Sequence, residues 1–436
     1  MTTYQDFCED FRQPQFVTHK EDVSYQLNRS LNTTLSNGAS QVKTSHQIIA
    51  DSTNDTMPND LYDAFLEVDF KIEKMDGTGY AAADDITLAS DGYSLIKEML
   101  ITFNTTPVSN TTDVNQCVNV KNILEYSDSF ARNTATSSFM YPDSGTGQAI
   151  AANNAGFAMK KSLTSTQASN NIILKLNRYP FFNSFEREIC PLGKLALNIT
   201  LETDANLLYK STVVPAGGAA PVVGRVVVTK LVLWIPKIEL SEKYGRKYYL
   251  QRMMEAPNRT YHKNILCQSP SIQQATGTFE ISSMIEKPRH VIIWATNDNK
   301  IDSQDHNMFL FDTYKIGGNT QCTSAQLKMG GDKYYPQQPL NPNEEKAKVY
   351  RGMLDYAKGN NDYLSGSFVN YSSFQNLYPL IYFDLSKQAQ LDGAYSLQFK
   401  YALNGQPTSA YRWKALVLSE QDIHMDTQSG RAILRF

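Results

Sequence analysis

Charge is scarce in this 436-residue chain: Asp, Glu, Lys and Arg make up 19% of it, and 41 basic against 44 acidic residues leave a net charge of -3. Dedicated nucleic-acid binders usually show a basic face or arm, and none is written here. The densest basic run, Lys237 to Arg252 (KIELSEKYGRKYYLQR), is interrupted by Glu239 and Glu242 and reads as a solvated linker. Cysteine is sparse as well. Cys8, Cys117, Cys190, Cys267 and Cys322 lie far apart with no CxxC pair, which argues against zinc and thioredoxin-like sites and for free thiols in a reducing compartment. No run of ~18 apolar residues occurs, so no membrane-spanning helix is expected. The start, MTTYQDFCEDFRQPQF, lacks a basic-then-apolar signal pattern, and synthesis in a cytosolic compartment is the expectation.

Catalytic signatures are missing in the same way. Gly217-Gly218 has neither the Lys-Ser/Thr of a phosphate loop nor the spacing of a dinucleotide fingerprint. The six histidines (His19, His46, His262, His290, His306, His424) form no HxH or HExxH, and no G-x-S-x-G elbow is present. Asp298, Asn299, Asp302 and Asp305 offer oxygen ligands for a cation, but their spacing is not that of an EF-hand and the closing Glu is absent. A solvated acidic loop is the plainer reading. A carboxylate pair for glycoside hydrolysis would leave no pattern, because its separation is purely spatial. The sequence therefore assigns no catalytic, cofactor-binding or metal residue, and points away from an enzyme.

What is present is β structure. Leu195, Leu197, Ile199 and Leu201 alternate with Ala196, Asn198, Thr200 and Glu202, and Leu66, Val68, Phe70 and Ile72 alternate with Glu67, Asp69, Lys71 and Glu73. Period two with polar partners marks strands with one face buried and one face wet. Further strands are expected at 95–103, 172–176, 278–281, 290–295, 308–316, 380–385, 395–401 and 411–418. The run at 225–235 (RVVVTKLVLWI) is so uniformly apolar that burial on both faces is expected.

Helical spacing predicts a helix over 114–131, with Asp113 and Gln116 as a capping box, and another over 344–357. Loops rich in small polar residues are expected at 134–170 and 358–376. Residues 1–45 read as an N-terminal arm, in which Tyr4, Phe7, Cys8 and Phe11 share the spacing of a short helix. Each half then repeats one order of parts: strands, a proline-bearing turn, a short helix, a long loop, more strands. The fold class is all-β, as two tandem sandwiches over 46–235 and 250–436 joined by a linker at 236–249, since many short strands with long loops favour sandwiches, and jelly rolls among them accept large insertions. Tyr (25) and Phe (20) against 3 Trp, with few charges, hint at large contact surfaces.

An ordered series of segments carries a resemblance. They are DLYDAFLEVDFKI (60–72), residues 92–106 leading into NILEYSDSF, and FFNSFEREICPLGKLALNITLETDANLLY. The second half adds KPRHVIIWATNDNKI, MFLFDTYKIGGN through YYPQQPLNPNEEKAKVYRGML, LIYFDLS and YSLQFKYAL. Over residues 50–425 the chain resembles the double-jelly-roll major capsid proteins of Polinton/Maverick elements and adintoviruses, relatives of virophage and adenovirus hexon-type proteins. The spacing around Phe181–Arg187 departs from that pattern, and the arm matches nothing in it.

The resemblance implies two eight-stranded jelly rolls with short inserted helices, and a homotrimeric, six-cornered capsomer. It implies a capsomer that tiles an icosahedral shell around double-stranded DNA. Its partners would be other copies, neighbouring capsomers and penton or minor capsid proteins, with only weak non-specific contact to DNA, no cofactor, and the virion as location. It also places inserted loops 134–170 and 298–345 at the outer surface. The alternatives are a minor vertex or spike protein, or a carbohydrate-binding tandem β-sandwich.

Overall fold

The computed structural model describes residues 20–25, 45–52, 59–186, 190, 193–213, 221–238, 258–316, 320–330, 333–360, 366–387, 394–426 and 431–435. In the first half the strands are β1 (Lys20–Tyr25), β2 (Ser45–Asp51), β3 (Phe65–Lys74), β4 (Ile86–Leu88), β5 (Ile96–Phe103), β6 (Thr106–Thr111), β7 (Asn170–Lys175), β8 (Lys194–Leu201), β9 (Leu208–Lys210) and β10 (Gly224–Ile238). The second half has β11 (Asn258–Gln268), β12 (Thr276–Glu286), β13 (Pro288–Asn297), β14 (Cys322–Met329), β15 (Lys333–Leu340), β16 (Ile381–Asp384), β17 (Ala394–Leu403), β18 (Tyr411–Asp426) and β19 (Arg431–Arg435).

Two four-stranded sheets, β1-β10-β3-β7 and β2-β8-β5-β6, make the first sandwich. The second repeats the order as β11-β18-β13-β16 and β12-β17-β14-β15, with β19 added beside β18. All these pairings are antiparallel. With β4 and β9 set aside, each half has first-eighth-third-sixth strands in one sheet and second-seventh-fourth-fifth in the other. That is the jelly roll, present twice.

Alternation explains the layers. Leu66, Val68, Phe70 and Ile72 of β3 and Leu231, Leu233 and Ile235 of β10 face Ile48 of β2, Met99 and Ile101 of β5, and Leu195, Leu197 and Ile199 of β8 in one core. Phe279, Val291, Ile293, Phe383, Phe399, Trp413 and Val417 belong to the other. Each fully buried aliphatic or aromatic side chain contributes on the order of 1.5–3 kcal/mol.

Antiparallel strands turn back at alternate ends, so insertions sort by end. Connections 75–95, 112–169 and 202–223 in the first sandwich, and 298–321 and 341–380 in the second, all leave from the same end of their sandwich. The opposite end carries shorter connections, among them 104–105 and 330–332. Within the long insertions, β4 pairs with β9, and helices α1 (Val114–Glu125), α2 (Asp128–Arg132), α3 (Ala155–Thr164), α4 (Lys346–Asn360) and α5 (Tyr371–Asn376) form.

Several expectations are corrected. The helix over 114–131 is two helices, because Tyr126 is extended and Ser127 caps a new start by accepting from the Phe130 N–H at 3.2 Å. Asp113 makes no capping box: it sits in the left-handed region at φ 49°, without a side-chain cap bond. Loop 134–170 contains α3, whose N-cap Asn154 accepts from the Phe157 N–H, and loop 358–376 contains α5. Residues 308–316 are not a strand; they run irregularly while Phe309, Phe311, Tyr314 and Ile316 are buried. The range 298–345 passes through β14 and β15, so only 298–321 and the start of the next insertion at 341–345 belong to long insertions. Burial on both faces fails for β10: Leu231, Leu233 and Ile235 are buried, whereas Lys230, Val232 and Trp234 remain part-exposed. Within the arm, β1 pairs with β10. The spacing of Tyr4, Phe7, Cys8 and Phe11 lies outside the described residues.

Candidate functional site: the junction between the sandwiches

Helix α1 is buried from Val114 to Leu124, although half of its sequence is polar. A helix buried all round must lie between two bodies. Val114 and Val118 belong to the first core, whereas Cys117, Val120, Ile123 and Leu124 belong to the second. Buried polar groups are tolerable only when satisfied, and these are. Asn115 Nδ2 donates to Glu202 Oε2 at 2.9 Å, Asn119 Nδ2 to the Phe309 carbonyl at 3.4 Å, and Asn122 Nδ2 to Asp91 Oδ2 at 2.8 Å. Lys121 Nζ donates to the Arg178 carbonyl at 3.4 Å. Gln116 Oε1 accepts from Lys414 Nζ of β18 at 2.7 Å, which ties the two halves. Burial pushes the Lys414 amine down to about 8 despite Asp113 and Asp298 nearby.

A charged cluster closes the end of α1. Arg178 Nη2 meets Glu125 Oε2 at 2.8 Å, as an ion contact off the axis of a hydrogen bond. Its guanidinium lies 4.9 Å from the Tyr126 ring centre, and its Nε donates to Asn122 Oδ1 at 3.0 Å. From the second half, Tyr356 of α4 donates its hydroxyl to Glu125 Oε1 at 3.0 Å. Burial alone would raise the Glu125 carboxyl, but the charges of Arg178 and Lys121 and the Tyr356 hydroxyl hold it below the usual range. Asp91 lacks such a cation in contact, and burial pushes it up to about 6. On β13, His290 meets the Tyr382 hydroxyl through Nδ1 at 2.8 Å and packs edge-on to Tyr356 and His262. Burial, then His262, lowers it to about 4.

The insertions interlock beyond α1. Asn307 Nδ2 donates to the Ala89 carbonyl at 2.7 Å, and Gln304 Nε2 donates to the carbonyls of Asp204 and Gly224. A Cβ on Gly147 would meet Leu310 and Leu377 at 2.5 and 2.8 Å, so this turn of the first half sits flush on the second. The acidic residues read as a possible cation loop are spent separately: Asp298 pairs with Arg412 at 2.8 Å, Asp302 accepts from Asn206 at 3.4 Å, and Asp305 pairs with Lys210 at 2.6 Å. Asn299 donates its backbone N–H to Asn297 Oδ1 at 2.9 Å. Among the described residues, no group of three or more His, Cys, Asp or Glu is gathered for a metal, and no helix is long and apolar enough to cross a membrane.

The junction was invisible in sequence because its parts come from positions 91 to 414. The one available signal was the density of Asn, Gln and Lys within α1 at positions a core helix would give to apolar residues. The arrangement fuses two sandwiches into one block and fixes how they stand together.

Solved structures share this block. A chain of the Sputnik virophage matches with a TM-score of 0.59 at 12% identity, covering 96% of this chain and 88% of that one. The Faustovirus major capsid protein matches with a TM-score of 0.55 at 9% identity, covering 94% and 91%. The mavirus major capsid protein matches with a TM-score of 0.52 at 11% identity, covering 95% and 90%. The fold is that of the double-jelly-roll capsid proteins, and the Faustovirus and mavirus neighbours are major capsid proteins. No protein-family model and no curated protein matches the chain.

Proposed function

We propose that this chain is the major capsid protein of a double-stranded DNA virus or virus-like element of the Polinton/Maverick and adintovirus kind. Three copies form a capsomer of six-cornered outline, and capsomers tile an icosahedral shell in the virion. The observation that carries the reading is the doubled jelly roll fused by a buried polar junction, over nearly the whole length shared with capsid proteins. Two rigidly coupled sandwiches per chain suit a ring of three, because a threefold ring of such chains presents six similar side faces.

In this reading the first jelly roll spans 46–235, with β1 drawn from the arm and β10 running on to Ile238 into the expected 236–249 linker, and the second spans 250–436. The end bearing the long insertions, 134–170 and 298–321 among them, faces outward. The neighbours in the shell are other capsomers and penton or minor capsid proteins. With a net charge of -3, the inner face touches packaged DNA only weakly and without sequence preference. Synthesis takes place in the host cytoplasm. Light scattering of the purified protein tests the reading: the mass of three 49.1 kDa chains is expected, and a stable one-chain mass at assembly concentrations overturns it.

A further inference from the structure

We infer that the insertion 112–169 carries a self-modifying site, in which the Lys160 amine condenses with the Asn154 side-chain amide into an isopeptide bond and releases ammonia. The inference goes beyond the capsid reading and does not rest on it.

The amide is the electrophile, and it is bonded at every corner. Asn154 is the N-cap of α3, and its Oδ1 accepts from the Phe157 backbone N–H at 3.2 Å, as a cap does. The same oxygen also accepts from the Ser144 backbone N–H at 3.0 Å. Its Nδ2 donates to Asp143 Oδ1 at 2.9 Å and to the Gln148 carbonyl at 3.2 Å. Capping needs only the first of these bonds. Two N–H donors fixed on one carbonyl oxygen are what an acyl-transfer site uses to hold the charge that develops there, and each such donor is worth about 10²–10³ in rate. The turn supplying Ser144 is held independently. The Ala155 N–H donates to Ser144 Oγ at 2.8 Å, and a Cβ on Gly156 would strike the Pro142 carbonyl.

Lys160 is the nucleophile. It stands in the second turn of α3, where a side chain leans back toward the helix start. It is 2% exposed, and among the described residues its amine makes no hydrogen bond; Asp143 Oδ1 lies 3.8 Å away. Three donors buried without a bond are costly, and an amide with one bonded N–H removes that cost. One carboxylate oxygen therefore lies beside both nitrogens, the one that attacks and the one that leaves. With Asn154 itself 1% exposed, bulk water, the competing nucleophile, is kept away.

The step balances with no co-reactant. Nζ forms a bond to Asn154 Cγ as Asp143 takes its proton, and the charge on Oδ1 rests on the Ser144 and Phe157 N–H groups. The Cγ–Nδ2 bond then breaks, and Asp143 passes the proton to Nδ2, which leaves as ammonia. A Lys160 that starts protonated sheds its extra proton with the leaving group, as ammonium. The product preserves the cap, because its carbonyl still accepts both N–H groups and its remaining N–H can donate to Asp143. The bond ties the start of α3 to its second turn, at the end of the sandwich where the long connections gather.

The test weighs the full-length protein intact by mass spectrometry under denaturing conditions, before and after prolonged incubation at mildly alkaline pH. The sequence mass less one ammonia is expected. Chymotryptic cleavage after Phe157, which lies between the two residues, should leave the flanking pieces joined. Lys160→Met should show its own full sequence mass and separate into two pieces. Asp143→Asn should stay unlinked at times when the wild type is linked. A wild type that keeps its full mass throughout overturns the inference, and that outcome requires no variant to fold. Ammonia loss with separable pieces overturns it as well, since that product is a cyclic imide at Asn154 and not a cross-link. An Asp143→Asn variant that links as fast as wild type overturns the role given to the carboxylate.

Discussion

Replacing Arg178 with Met tests the junction where its charge is most concentrated. At 2.8 Å from Glu125, the gross attraction is roughly 6 kcal/mol at an effective dielectric of 20. Most of that offsets the cost of holding both groups away from water. Removing one partner is different, because it strands the other: Glu125 would keep only Lys121 and the Tyr356 hydroxyl. Breaking a buried pair in this way costs about 3–5 kcal/mol, plus the stacking on Tyr126. Arg178→Met should therefore destabilise by about 4 kcal/mol, and Arg178→Met with Glu125→Gln should recover at least about 2 of these. Denaturant unfolding followed by tryptophan fluorescence reads both halves, with Trp234 in the first sandwich and Trp294 and Trp413 in the second. Because α1 belongs to both cores, one transition is expected in the wild type. A single variant within 1 kcal/mol of wild type, or a double variant as unstable as the sum of its singles, would refute the reasoning.

Three further outcomes follow from the same geometry. Gly156→Ala should destabilise by at least about 2 kcal/mol in a denaturant titration, because the new Cβ would meet the Pro142 carbonyl oxygen at 2.2 Å; wild-type stability would show that the turn before α3 yields freely. His290 titrates at about 4 when folded against 6.5 when free, so below pH 6.5 the unfolded chain takes up a proton that the folded chain refuses. Stability should fall as pH drops from 6.5 to 4, and His290→Gln should flatten that limb of a pH-dependent melt; an unchanged slope would contradict it. Lys414 acts in the same sense at higher pH: with its folded value at about 8, stability should rise between pH 8 and 10.5, and Lys414→Met should abolish the rise.

Half-buried strands were the legible part of the fold. β3, β8 and β17 announce themselves by alternation, and both longer helices by spacing. Edge strands hid. β6 (TPVSNT) and β15 (KYYPQQPL) are polar and hold prolines, which an edge position tolerates because one side of its ladder is free. Residues 308–316 misled in the opposite sense: their apolar side chains are buried, but under irregular backbone whose groups find partners outside any ladder, as where the Asp312 N–H donates to the Ala295 carbonyl. The run in β10 called for two buried faces and found one, with Val232 and Trp234 left part-exposed. No local pattern could assemble Asp91, Arg178 and Tyr356 around Asn122 and Glu125 of α1, because only the folded topology brings these four distant stretches together.

The most direct test of the capsid account is negative-stain electron microscopy of the purified protein. The account predicts threefold particles of hexagonal outline, the size of three 49.1 kDa chains. Isolated two-lobed particles, each one chain across at concentrations where a shell would assemble, would contradict it.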